Sequence, residues 1–190
     1  MQNLSELISE TGWSLFLDRD GVINQRIPND YVKYPEQFVF NEGVPEALKI
    51  FSQLFTRIFI VTNQQGIGRG LMTSAELLRV HNSMLAKITE SGGRVDRIYF
   101  SPDLKNTRSF TRKPAVGMGL KARREFPEIR FRKCIMAGDT PSDMLFGKRL
   151  GMITVLISDE PAEIRASGEM HNYIFPDLIS FALNLTGQPK

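Results

Sequence analysis

Four places in this 190-residue sequence put reactive side chains at the end of an apolar run or in the loop after one. Asp18 and Asp20 lie two positions apart in "SLFLDRDGVIN", and Thr62-Asn63 closes "RIFIVTN". Arg112-Lys113 precedes Pro114 in "RKPAVGM", and Asp139 and Asp143 frame "GDTPSD". Two carboxylates as close as Asp18 and Asp20 repel each other and lose hydration as they approach a core, so their retention needs a chemical reason. Carboxylates, a hydroxyl and fixed cations are also the groups from which nucleophilic and acid–base catalysis is built. Taken singly, each stretch has a structural explanation. "DRDG" reads as a turn, "TN" as a helix-approach cap, "RKP" as a solvated turn and "GDTPSD" as a capping motif around Pro141. Their succession, each at a strand end or in the following loop, points to a shared site.

The elements that must position them alternate. Short, continuously apolar runs at residues 13–18, 57–63, 97–101, 133–139 and 153–158, with a weaker one at 172–175, fit strands buried on both faces. Helical spacing fills the gaps: 44–55, then 73–93 with Thr73 or Ser74 as N-cap, then 114–126, 141–151 and 175–185, the last three with a proline near the start. Strand–helix alternation predicts an α/β fold, a Rossmann-like three-layer sandwich with a mostly parallel sheet. Residues 21–43 break the rhythm and read as a flap or small hairpin over the end of the first strand. In an open α/β sheet ligands bind outside the carboxyl ends of the strands, so a parallel sheet gathers all four groups on one edge.

Length and composition predict a single domain spanning residues 1–190, since 42% hydrophobic residues suffice for a core. A net charge of +3 suits an anionic substrate but is too small to argue for nucleic acid. One cysteine, Cys134, excludes an internal disulfide framework and a cysteine-rich zinc site, and reads as a small core residue. The polar start "MQNLSELISETG" lacks a basic signal-peptide region, and no apolar stretch reaches membrane-spanning length, so the expectation is a cytoplasmic protein with no membrane partner. Gly66-Ile67-Gly68-Arg69-Gly70 follows a strand, yet its G-x-G-x-G spacing departs from the dinucleotide fingerprint. His81 and His171 read as surface or partly packed residues without a catalytic part.

Together the four motifs resemble the haloacid dehalogenase (HAD) phosphohydrolase superfamily: D-x-D-G-V at 18–22, V-T-N at 61–63, R-K-P at 112–114 and G-D-T-P-S-D at 138–143. The fuller wording "FLDRDGVIN", "VTNQQGIGRG" and "RKPAVGM" is similar to the subgroup holding heptose bisphosphate and histidinol-phosphate phosphatases. The resemblance implies a HAD-like fold without a large cap domain and a Mg²⁺-dependent phosphomonoesterase working through an aspartyl-phosphate. Asp18 would be the nucleophile and a metal ligand. Asp20 would lend its backbone carbonyl to the metal and its side chain to proton transfer, and the aspartate at this position favours phosphatase over dehalogenase chemistry. Asp139 would be the further metal ligand, with Asp143 supporting the metal. Thr62 and the Asn63 N–H would hold the phosphoryl group, Lys113 would balance its charge, and Arg112 and Arg69 would bind substrate. The implied substrate is a small phosphorylated metabolite, first a sugar phosphate such as D-glycero-D-manno-heptose 1,7-bisphosphate. Histidinol phosphate comes second, ahead of a nucleic-acid 3′-phosphate or a non-catalytic binding role.

Two departures from the subgroup stand out. Its zinc loop, C-x-H then C-x-C, is matched here by Ser101-Pro102-Asp103 and Ser109-Phe110-Thr111, so no structural zinc is expected and the loop needs another source of order. Thr140 stands where the heptose enzymes carry a substrate-contacting lysine, a loss for which Arg69, Arg26 or Lys33 would have to compensate. Without a cap insertion the site should be open, guarded by the flap and the 101–111 loop. For Tyr31, Tyr34 and Phe38 local packing is the expected role.

Overall fold

Three short apolar strands sit side by side at the centre of the structure, a computed structural model that describes residues 4–8 and 10–187. Residues 1–3, 9 and 188–190, which the single-domain expectation includes, lie outside the described residues. In chain order the elements are α1 (Leu4–Leu7), β1 (Ser14–Leu17), α2 (Val44–Leu54), β2 (Arg57–Asn63), α3 (Gln65–Gly68), α4 (Ser74–Glu90) and β3 (Arg97–Ser101). There follow α5 (Gly117–Glu125), β4 (Cys134–Gly138), α6 (Pro141–Leu150), β5 (Ile153–Ile157), α7 (Pro161–Ser167), β6 (Tyr173–Phe175) and α8 (Leu178–Thr186).

The strands form one sheet in the order β3-β2-β1-β4-β5-β6, and every adjacent pair is parallel. The chain winds outward from β1 through β2 to β3, then returns to start β4 on the other side of β1. The direction of winding reverses between β1 and β4, where the loops leave in opposite directions and open a crevice at the carboxyl edge. Leu17 pairs with Ile60 on one side and Ala137 on the other, so the residue after β1 emerges at that crevice.

Period-two alternation explains why the strands read as continuously apolar. Leu15, Leu17, Ile58, Ile60, Ile135 and Ala137 face one core, with Ala47, Leu48 and Phe51 of α2, Val80 and Met84 of α4, and Phe181 of α8. Phe16, Phe59, Val61 and Met136 face the other, with Met118 and Ala122 of α5 and Phe146 of α6. Both faces are buried, which gives the three-layer sandwich. Cys134 is buried in the second core.

Several boundaries differ from the sequence reading. Residues 21–43 form a hairpin only at their base, where Gln25 N–H donates to Val39 O at 2.9 Å and Asn41 N–H to Ile23 O at 3.0 Å. Buried Val32 and Phe38 anchor the irregular remainder to the first core. α5 starts three residues after Pro114, because Ala115 N–H bonds Arg112 O and Gly117 N–H bonds Phe110 O in a turn that carries Lys113. α8 is capped by the Asp177 side chain rather than opened by Pro176. Thr73, not Ser74, caps α4, in a reciprocal capping box with Glu76. α7, which the sequence reading leaves out, opens at Pro161. No helix among the described residues is long and apolar enough to cross a membrane.

Candidate active site

The crevice is built outward from the end of β1. Asp18 N–H continues the ladder to Ala137 O at 3.0 Å, which turns its side chain over the carboxyl edge. There Asp18 Oδ1 accepts from Arg19 N–H at 2.7 Å and pairs with Lys113 Nζ at 2.8 Å. Asp18 is 7% exposed. Burial pushes its carboxyl up to about 6; Lys113 opposes this, and the Asp143 charge adds to it.

Lys113 arrives from a distant loop and is held from β2. The Asn63 side chain clamps its backbone twice: Lys113 N–H donates to Asn63 Oδ1 at 2.9 Å, and Asn63 Nδ2 donates to Lys113 O at 3.1 Å. The sequence reading gave Asn63 a backbone N–H for phosphate; its amide side chain is what fixes Lys113. The ammonium lies between two carboxylates, 2.8 Å from Asp18 and 2.5 Å from Asp143. Burial disfavours its charge, but Asp143 and Asp18 outweigh that and hold its pKa above the ordinary value.

Asp139 leaves the end of β4 beside Asp18. Thr140 caps α6 through Asp143, its N–H at 3.0 Å and its hydroxyl at 2.5 Å from Asp143 Oδ2. The capping reading of "GDTPSD" holds, with Thr140 occupied as a cap, and it leaves Asp139 free to face Asp18. Asp18, Asp139 and Asp143 each offer an oxygen within 4.8 Å of the others. Burial and the Asp18 charge push Asp139 well above its ordinary value, with Arg26 opposing. Arg26, from the flap, grips two of the groups expected to hold the metal: Nε donates to Asp20 O at 3.0 Å, and Nη2 sits 2.8 Å from the Asp139 carboxylate.

Three buried carboxylates against two cations, Lys113 and the half-exposed Arg26, leave room for further positive charge. An all-oxygen donor set fits a hard divalent ion such as Mg²⁺. Gly21, at φ +94°, keeps this corner open, since a Cβ there would collide with Asp139 Oδ2.

Asp20 faces the same opening but is tied on all sides. Arg19 Nη2 reaches its two oxygens at 2.7 and 2.9 Å, Gln64 Nε2 donates at 2.7 Å, and Asn24 Nδ2 at 3.1 Å. Burial alone would raise the Asp20 carboxyl, yet the Arg19 charge and these hydrogen bonds hold it below its ordinary value. Gln64 also donates to Thr62 Oγ1 at 2.9 Å, joining the first two motifs.

The sequence reading missed Arg19 and Gln64 and misplaced His81. Arg19 is 1% exposed, and its Nη1 lies 3.1 Å from His81 Nε2. His81 is 4% exposed, not on the surface, and burial with the Arg19 charge pushes its pKa down to about 3. A neutral imidazole presenting its Nε2 lone pair is the form that accepts from a guanidinium. The signal was present in α4, where His81 shares the helical stripe of Leu77, Met84 and Ile88. His171 is partly packed, with Nδ1 2.8 Å from Ser167 Oγ.

Above these groups lies a cavity of about 590 Å³ whose walls include Asp18, Asp20, Thr62, Arg26, Arg69 and Arg112. The structure thus brings the residues of all four motifs to one place. Lys33 is paired with Asp30 on the flap at 2.9 Å. Of the flap aromatics, Tyr31 lines the cavity, Phe38 is buried in the core, and Tyr34 is exposed. The glycine-rich stretch after β2 makes α3, a single helical turn, rather than a long helix opening on a phosphate.

A family model for HAD-hydrolase-like proteins matches residues 110–180. The chain is 32% identical over 171 residues, 90% of its own length and 90% of the relative's, to a D-glycero-α-D-manno-heptose-1,7-bisphosphate 7-phosphatase of Mycobacterium bovis. It is 36% identical to the β-anomer enzyme of Helicobacter pylori, over 72% of this chain and 78% of that one. Among solved structures, the D,D-heptose 1,7-bisphosphate phosphatase of B. bronchiseptica, complexed with magnesium and phosphate, superposes with a TM-score of 0.84 at 27% identity. That match covers 92% of this chain and 98% of the other. With this fold and these relatives, the chain belongs to the HAD-like hydrolases and, among them, to the phosphatases that hydrolyse phosphoric monoesters.

Proposed function

We propose that this enzyme is a Mg²⁺-dependent phosphatase that removes the 7-phosphate of D-glycero-D-manno-heptose 1,7-bisphosphate through an aspartyl-phosphate on Asp18. The observation that carries the reading is one cavity lined by Asp18 together with Arg26, Arg69 and Arg112. A substrate with two phosphates matches that charge: one phosphate meets Asp18, the other an arginine, whose fork suits phosphate oxygens. Histidinol phosphate brings cationic groups toward the same arginines and fits less well. The named activity of the relatives points the same way.

Asp18 attacks phosphorus, the phosphorus–oxygen bond to the sugar breaks, and the phosphoryl group passes to the carboxylate. Asp20, ionised at rest under the Arg19 charge, must take up a proton as the phosphate dianion binds beside it; it gives that proton to the departing alkoxide and then takes one from the water that splits the acyl phosphate. Thr62 hydroxyl and the Asn63 N–H hold the phosphoryl oxygens, and Lys113 offsets charge on them and on Asp18. Asp18, Asp139 and the Asp20 carbonyl would hold the metal, with Asp143 supporting it from behind through Lys113. Bound there, Mg²⁺ supplies the positive charge that lets a dianionic phosphate approach an ionised carboxylate. Arg26, which grips Asp139 and the Asp20 carbonyl, would have to give up those contacts to a cation bound there.

Magnesium should be visible without turnover. Adding it to chelator-treated protein at about 100 times its dissociation constant stabilises the fold by about 2.7 kcal/mol, roughly 5–10 °C in Tm for a domain of this size. Asp139→Asn should remove most of that shift. Differential scanning calorimetry with and without Mg²⁺ checks both, and an unchanged wild-type Tm at saturating magnesium would count against the metal site.

The substrate is tested by a panel of both anomers of the heptose bisphosphate, sugar monophosphates, histidinol phosphate and a 3′-phosphorylated oligonucleotide. The bisphosphate should lead in kcat/KM by at least about tenfold, the value of one lost charge-assisted contact. A lead for histidinol phosphate or the oligonucleotide would overturn the substrate assignment while leaving the phosphatase class intact.

A further inference from the structure

The loop between β3 and Lys113 is closed by a knot centred on one carboxylate. Asp103 Oδ2 accepts from three hydroxyls: Ser101 Oγ at 3.1 Å, Ser109 Oγ at 2.5 Å and Thr111 Oγ1 at 2.7 Å. The hydroxyls also meet one another, Thr111 Oγ1 lying 3.0 Å from Ser101 Oγ and 3.2 Å from Ser109 Oγ. Ser109 Oγ in turn accepts the backbone N–H groups of Thr111 at 3.1 Å and Arg112 at 2.9 Å. The Asp103 carbonyl receives Arg112 Nη1 at 3.0 Å. Arg112 therefore has its backbone fixed through Ser109 and its guanidinium fixed by Asp103, on the wall of the cavity that holds Asp18.

We infer that Asp103 is a positioning residue: by gathering Ser101, Ser109 and Thr111 it closes the 101–112 loop and holds the Arg112 guanidinium where the non-reacting part of the substrate binds. The chemistry asks for an ionised carboxylate at this spot. Three hydroxyl donors converging on one oxygen need an acceptor with spare lone pairs and negative charge, and the hydrogen bonds from Ser109 and Thr111 hold Asp103 below its ordinary pKa. The neighbouring carboxylates differ in kind, since Asp18, Asp139 and Asp143 are buried with cations. Preorganising one arginine spares the ordering cost that substrate would otherwise bear on binding, so the effect belongs in KM rather than in the chemical step.

This inference rests on the phosphatase reading and is tested by two readouts, one independent of substrate. Asp103→Ala should raise KM for the heptose bisphosphate about tenfold, with kcat within about twofold of wild type. Arg112→Ala should do the same, and the double variant should be no worse than Arg112→Ala alone, because Asp103 acts through Arg112. Asp103→Asn, which keeps an acceptor oxygen but not the charge, should recover only part of the KM loss. Hydrogen exchange of the Thr111 and Arg112 amides should quicken in Asp103→Ala and return toward wild type in Asp103→Asn. Additive KM effects, a loss confined to kcat, or unchanged amide exchange would overturn the positioning role. A wild-type enzyme inert on the bisphosphate would instead defeat the substrate assignment, and the exchange comparison would still decide whether Asp103 orders the loop.

Discussion

Asp18→Asn abolishes turnover, lowering kcat by at least about 10⁴-fold, and leaves a folded protein that is more stable than wild type in metal-free buffer at neutral pH. The first half follows from the proposed chemistry: an amide oxygen is a poor nucleophile toward phosphorus, and the remaining groups only position substrate. The second half follows from burial. The folded pKa of Asp18 stands near 6, above the ordinary 3.8, so the folded state binds more protons than the unfolded chain between these values. Stability from this group is fully present below about pH 4 and lost as pH rises through about 6. The loss is about 2–3 kcal/mol. Asparagine carries no charge and escapes it, while Lys113 keeps Asp143 at 2.5 Å. The gap in Tm between variant and wild type should therefore open between pH 4 and pH 6. Calorimetry across that range, beside a steady-state assay, checks both halves; a variant less stable than wild type at pH 7 would contradict the electrostatic account.

Lys113→Met should be the most damaging substitution to the fold. It removes the one ammonium set between Asp18 and Asp143 and leaves both carboxylates buried beside an apolar chain. Breaking a buried pair by deleting one partner costs about 3–5 kcal/mol. For a domain of this size that is a fall in Tm of roughly 10 °C. The deficit should shrink as pH falls, starting at a higher pH than the value near 6 of wild-type Asp18, because Lys113 is what holds that value down and a protonated Asp18 no longer needs a partner. Activity should fall by at least about 10³-fold, since the same ammonium offsets charge on the phosphoryl group. Thermal unfolding at pH 5 and pH 7 checks the stability claim, and a variant with wild-type Tm at pH 7 would refute it.

The site was legible where the chemistry sits at strand ends. A parallel sheet brings the carboxyl ends of its strands to one edge whatever their distance in sequence, so Asp18, Thr62, Lys113 and Asp139 could be grouped before any coordinates. The sheet itself was legible because both of its faces are buried, which turns period-two strands into continuous apolar runs. What escaped were residues whose environment is set by a partner far along the chain. Arg19 looks like the solvated middle of a turn until His81, 62 positions away, covers it. Asn63 carries no mark of its clamp on Lys113, because that bond depends on where the 101–112 loop folds back. The flap is similar: its base pairs residues near 24 with residues near 40, and no local propensity announces such a register.

One measurement bears most directly on the account: acid-quenched single turnover with heptose bisphosphate labelled in its 7-phosphate, followed by peptide mapping. The account expects label to appear transiently on the peptide containing Asp18, to be discharged as inorganic phosphate, and to be absent in Asp18→Asn. Release of phosphate at full rate with no label on the protein at any time point would contradict it.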